Sequence, residues 1–89
     1  MMTEGYVYVG IDVSKAWLDV AVEPAGQNWR TENDPRGINQ LVGRLGGLAP
    51  KIIVVEATGG YEANLVEHLC AAQLPVARVN PGRVRRFAQ

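Results

Sequence analysis

A mixed α/β sheet of five strands is the fold these 89 residues predict, and three patterns carry that expectation. Two early stretches alternate apolar and polar side chains across a short connection, a continuous apolar run lies mid-chain, and stretches with apolar residues at helical spacing separate the later strands. Hydrophobic residues make up 47% of the chain and charged ones 20%, with a single cysteine, which excludes a disordered chain, a collagen and a disulfide scaffold. A chain this short buries roughly 60–65% of its unfolded surface, enough for one core. Residues 1–89 are therefore read as a single domain or a piece of one.

The opening Tyr6-Val7-Tyr8-Val9-Gly10-Ile11-Asp12-Val13 puts Val7, Val9, Ile11 and Val13 on one parity, the signature of a strand, with a carboxylate near its far end. After a turn at Ser14-Lys15, residues Trp17 to Glu23 alternate again with Leu18, Val20 and Val22 apolar, and the short connection predicts an antiparallel hairpin. Pro24-Ala25-Gly26 breaks the pattern, and the more polar Gln27 to Glu32 reads as a third strand at the sheet edge.

Asn33-Asp34-Pro35 announces a helix, with Asp34 as cap, Pro35 at the first helical position and Ile38, Leu41, Val42 and Leu45 on one face; Gly46-Gly47 is its expected end. Lys51 to Glu56 is a continuous apolar run ending in a carboxylate, as for a strand covered on both faces and parallel to the first. Thr58-Gly59-Gly60 turns into a second helix with Tyr61, Leu65, Val66, Leu69 and Cys70 as its apolar positions. Leu74 to Val79 gives a fifth strand, and Asn80-Pro81 opens a third helix that stops almost as it starts.

Three meander strands, then helix, strand, helix, strand, helix, is the element order of a ribonuclease H-like fold. That arrangement implies sheet order 3-2-1-4-5, parallel strands 1, 4 and 5 joined by right-handed crossovers, and helices on both faces, here truncated at the third helix.

Nine basic and nine acidic residues balance, but unevenly along the chain. Glu4, Asp12, Asp19, Glu23, Glu32 and Asp34 outnumber Lys15 and Arg30 in the first 34 residues, whereas Arg78, Arg83, Arg85 and Arg86 crowd the last dozen with no acid among them. No apolar run reaches the ~18–20 residues that span a bilayer, and no secretory leader pattern opens the chain. An intracellular chain with no membrane partner is expected, with Cys70 as core filler.

Parallel neighbours 1 and 4 would bring Asp12 and Glu56 to adjacent carboxyl ends, about 4.8 Å apart in strand spacing. Two such carboxylates repel unless a cation lies between them. Mg²⁺ or Mn²⁺ suits oxygen ligands, and pairs of such ions about 3.5–4 Å apart drive phosphodiester chemistry. A complete site of that kind needs three or four acids, and the pattern supplies two. The plainer alternative is a turn-forming aspartate and a helix-capping glutamate. Asp19 could join them, but its alternation places it on the exposed face of the second strand.

Gly10-Ile11-Asp12-Val13-Ser14-Lys15, then Leu18-Asp19-Val20-Ala21, then Val55-Glu56-Ala57-Thr58-Gly59-Gly60-Tyr61-Glu62, then Val79-Asn80-Pro81 with Val84-Arg85-Arg86-Phe87-Ala88, closely resembles the N-terminal domain of the DEDD transposases. These are bacterial insertion-sequence recombinases of family one-ten, related to the Piv DNA invertase and similar in fold to the RuvC Holliday-junction resolvase. The resemblance covers nearly the whole chain in order. It implies that Asp12 and Glu56 match the first two members of an Asp-Glu-Asp-Asp tetrad that binds Mg²⁺ or Mn²⁺ and serves metal-dependent DNA strand cleavage and transfer. The other two aspartates belong to an Asp-x-x-Asp element shortly beyond the arginine-rich helix. By the same resemblance the chain is a fragment of a longer cytoplasmic bacterial transposase, inactive alone and with metal bound weakly or not at all. A C-terminal domain would carry the serine of strand exchange, and a guide RNA would select the DNA.

On a helix Arg83 and Arg86 share a face with Arg85 turned aside, so a polyanion could meet two charges; a solvated helix face is the equal alternative. Lys15, beside the acids, either approaches a scissile phosphate or is an ordinary turn lysine. Gly59-Gly60 would permit a tight turn or close phosphate approach. His68 reads as a polar-face residue, and Trp17, Trp29, Tyr6 and Tyr8 as packing residues before base-stacking ones. Exposed Val84 and Phe87 would favour a homo-oligomer.

The alternative function is an actin-like ATPase or sugar-kinase half-domain, whose first phosphate loop has a similar Gly-x-Asp start. Those loops place glycine after the acid, where this chain has Val13, whose side chain would crowd a backbone that must approach a phosphate.

Overall fold

The computed structural model describes residues 6–56 and 59–79. Their elements run β1 (Tyr8–Val13), β2 (Trp17–Glu23), β3 (Gln27–Glu32), α1 (Pro35–Leu48), β4 (Ile52–Glu56), α2 (Ala63–Ala71) and β5 (Val76–Val79). One sheet of order β3-β2-β1-β4-β5 holds all five strands. The β1–β2 and β2–β3 pairs are antiparallel, and β1–β4 and β4–β5 are parallel.

The alternation read from the sequence fixes which side of each strand is buried. Val9, Ile11 and Val13 of β1, Leu18, Val20 and Val22 of β2, and Ile53 and Val55 of β4 all lie within the core. They meet Ile38, Leu41 and Leu45 of α1 and Leu65 and Leu69 of α2. Each such side chain contributes about 1.5–3 kcal/mol by leaving water.

Both helices pack on that same face, α1 against β3, α2 against β5, and the two against each other. Helices on both faces were expected; among the described residues one face carries both. The cause is the direction of the crossovers. From β1 to β4 to β5 the chain steps one way across the sheet, and right-handed connections that step one way deposit their helices on one side. β4 is correspondingly covered on one face and half-exposed on the other, not sheathed twice as its unbroken apolar run predicts. The third helix expected after Asn80-Pro81 lies outside the described residues.

Asp34 caps α1, its Oδ1 accepting the Gly37 amide at 2.7 Å, and Pro35 opens the first turn. The helix does not stop at Gly46-Gly47. Leu48, three residues after the fully buried Leu45, still packs on the core, so the helix runs on and ends at Ala49, which takes the left-handed conformation usual for a C-terminal cap. Helix α2 starts at Ala63, leaving Tyr61 exposed before it. Cys70 is exposed rather than core filler; Leu65 and Leu69 mark the buried stripe, and Cys70 lies off its centre. His68 is a polar-face residue as read, its Nδ1 2.7 Å from the Asn64 carbonyl oxygen. No helix among the described residues is long and apolar enough to cross a membrane.

Candidate functional site

Asp12 and Glu56 are Cα partners in the parallel β1–β4 ladder. Partners in a ladder project to the same side of the sheet, and the alternation puts both on the face opposite the helices. They are the last pair of that ladder, at the carboxyl ends of their strands. Asp12 is exposed and Glu56 half-exposed. Beyond them the chain diverges, from β1 back toward β2 and from β4 onward to α2; open α/β sheets commonly bind ligands at such strand ends.

The row continues through β2 and β3. Asp19 is the antiparallel partner of Asp12, and Arg30 that of Asp19, so Glu56, Asp12, Asp19 and Arg30 stand in line across four strands. Arg30 donates to Asp19 through Nε at 2.7 Å and Nη2 at 3.2 Å, a fork geometry suited to carboxylates. The hydrogen bond, and then the negative charge of Asp19, raise the Arg30 pKa above its ordinary value. The Arg30 guanidinium also lies 5.1 Å from the centre of the Trp17 ring. Asp19 therefore sits on the open side of β2, as its alternation predicts, and is already paired. A hollow of about 610 Å³ lies over this row, with Gly10, Ala21 and Val54 as its floor.

Two carboxylates without an ion-pair partner among the described residues remain in the row, Asp12 and Glu56. Their oxygens are the donor type that a hard divalent cation takes, in a position open to solvent. Among the described residues no group of three or more acidic, histidine or cysteine side chains is gathered as a metal cluster. The donor set thus fits such an ion in kind and is short in number.

The turn after β1 and the turn before α2 are tightly formed. Ser14 and Trp17 close the β1–β2 turn through the Ser14 amide and hydroxyl, both donating to the Trp17 carbonyl at 3.0 and 3.2 Å. Gly59 and Gly60 have φ of 72° and 81°, values that side chains disfavour, so the tight-turn reading of this pair holds. Asn33 Nδ2 donates to the carbonyl of Ser14 at 2.9 Å and of Tyr61 at 3.1 Å, joining the turn after β1 to the one before α2. Lys15 is exposed in the first of these turns, three positions beyond Asp12.

Arg78 is drawn out of the basic group at the chain end. Its Nη1 donates at 3.0 Å to Oε2 of Glu62, a carboxylate whose side chain is only 8% exposed. Arg83, Arg85 and Arg86 lie outside the described residues. Trp29 is a packing residue under the Arg44 guanidinium, 3.7 Å from its ring centre, and Tyr6 and Tyr8 are exposed.

Sequence reading missed three of these relations. Asp19 with Arg30 was within reach, because the hairpin register about Pro24-Ala25-Gly26 pairs positions symmetrically. Asn33 looked like part of a helix start, and Glu62 with Arg78 joins residues 16 apart with no shared pattern.

A comparison with curated proteins gives no match. Among solved structures, an uncharacterized protein with similarity to peptidase YeaZ from Pseudomonas aeruginosa aligns with a TM-score of 0.49 at 18% identity, over 84% of this chain. The chain spans 43% of the length of that protein. The model of the DEDD transposase family of IS110 type, described as transposase, matches residues 9–89. That match takes in both strand-end acids, all of β1 after Tyr8 and every element from β2 to β5, and the chain belongs to this insertion-sequence transposase family.

Proposed function

We propose that this chain is the N-terminal part of a DNA transposase, with a ribonuclease H-like fold, in which Asp12 and Glu56 bind Mg²⁺ or Mn²⁺ for DNA strand cleavage and transfer. The observation that carries the reading is the ladder partnership of these two acids on the open face of the sheet. The family match supports the substrate, since transposases act on DNA. A divalent ion held there would activate an attacking oxygen and stabilise a leaving one in phosphodiester chemistry. The chain's own part is to present two carboxylates from adjacent strand ends, with Asp19 held apart by Arg30.

Two acids are half of the set such chemistry uses. The 89 residues alone are therefore expected to bind metal weakly and to cleave no DNA, with an Asp-x-x-Asp element following Gln89 in the natural reading frame. Lys15 and, from the segment after β5, Arg83, Arg85 and Arg86 would contact phosphates and confer salt dependence. A guide RNA and self-association belong to the whole cytoplasmic enzyme in this reading. The ATPase alternative is disfavoured by Val13, which is 1% exposed and paired with Leu18 in the ladder, so the chain after Asp12 makes no phosphate-hugging bend.

The test is recombination of insertion-sequence DNA by the full reading frame. Strand cleavage that requires Mg²⁺ or Mn²⁺ and is lost in Asp12→Asn and in Glu56→Gln is the expected result. Cleavage retained in both variants would refute it, and efficient cleavage by the 89-residue chain alone would refute the half-site reading.

A further inference from the structure

We propose that Asn33 is a positioning residue for the strand-end acids, holding the turn after β1 and the turn before α2 in fixed relation. The inference rests on the metal-binding reading of those two residues. Asp12 and Glu56 form the last pair of the β1–β4 ladder, so nothing in the ladder itself restrains the chain past them. Asn33 supplies the restraint from outside both strands. Its Nδ2 spends one hydrogen on the Ser14 carbonyl at 2.9 Å, two residues after Asp12. The other goes to the Tyr61 carbonyl at 3.1 Å, five residues after Glu56.

Both acceptors are carbonyl oxygens, so only the nitrogen of the amide can face them. The Asn33 backbone amide donates in turn to Ala16 at 2.9 Å, fixing the side chain's own root against the β1–β2 turn. Asn33 is half-buried, in sequence between the end of β3 and Asp34, the cap of α1. A donor with two hydrogens is required here. Aspartate has the same shape, but would set a carboxylate against two carbonyls.

The test follows Mn²⁺ binding to the 89-residue chain through paramagnetic broadening of the Asp12 and Glu56 backbone amide signals. Asn33→Ala and Asn33→Asp are expected to need roughly ten-fold more Mn²⁺ for equal broadening, the range seen when groups supporting metal ligands are removed. The Asn33→Asp result is the sharper one, because added negative charge would by itself strengthen cation binding. Asp34→Ala, which removes the α1 cap and leaves the Asn33 bridge, should melt earlier and bind Mn²⁺ as the parent does. Parent-like binding by both Asn33 variants would overturn the positioning role and leave the metal site standing. No broadening in the parent would refute the metal site and the positioning role with it. Should the variants not fold, hydrogen exchange of the parent's side-chain amides decides: Asn33 is expected to exchange more slowly than the exposed Asn39 and Asn64, and equal rates would overturn the bridge.

Discussion

Arg30 grips Asp19 with two nitrogens, one on each carboxylate oxygen, and so neutralises the acid that stands directly beside Asp12 in the sheet. The pair is half exposed, with 55% of the Arg30 and 44% of the Asp19 side chain open to water, so its weight in stability is small. Its consequence is electrostatic sorting: of the three carboxylates in this cross-strand row, one is occupied and two are left.

Releasing that grip should change ion binding. Arg30→Gln frees Asp19 as a third oxygen donor on the same face, and divalent affinity measured by titration calorimetry should rise roughly two- to fivefold, as for loss of one exposed charge pair. Asp19→Asn in the Arg30→Gln background should return the affinity to the parent value. No rise in Arg30→Gln would mean that Asp19 and Asp12 do not share a cation environment.

Gly37 lies in the first turn of α1, where a Cβ would run into the Glu32 backbone carbonyl. Alanine favours helix by about 1 kcal/mol over glycine, so a free helix would gain from Gly37→Ala. Here the close approach of α1 to the end of β3 should reverse the sign, and the variant should melt below the parent. A higher melting temperature would show that the helix start yields at little cost.

Asp34→Ala removes the acceptor for the Gly37 amide. The loss should be about 1 kcal/mol, typical for an N-cap, read as a shift in the urea midpoint with unchanged slope.

Leu45 is fully buried where α1 meets the sheet. Leu45→Ala should cost about 2–5 kcal/mol, a large share of the stability of a small domain. Denaturant titration of the variant against the parent measures it directly.

How much of this was legible in the sequence depends on the range of the interaction. β2 and β3 fall where alternation bounded by Pro24-Ala25-Gly26 predicts them, because a hairpin is decided by neighbours in the chain. Asp12 and Glu56 were legible because one lies near the end of an alternating strand and the other ends an apolar run, and parallel pairing then brings them level. The Asn33 bridge reaches 19 and 28 residues along the chain, and no local pattern marks it. Cys70 and Gly46-Gly47 misled because a helical stripe and a glycine pair look the same before the docking of the helix is known. Leu48 and Leu69 choose the outcome by packing. The placing of α1 and α2 on one face follows from strand order and crossover handedness together, neither of which is a property of any single element.

A double-mutant cycle on Mn²⁺ affinity puts the shared-ion claim most directly at risk. Asp12→Asn, Glu56→Gln and the double variant are compared with the parent by the concentration at which Mn²⁺ broadens the Val54 and Ile11 amide signals. One ion touching both carboxylates requires strong coupling, so each single variant should lose most of the binding and the double variant little more. Independent, additive losses, or binding unaffected by either substitution, would contradict it.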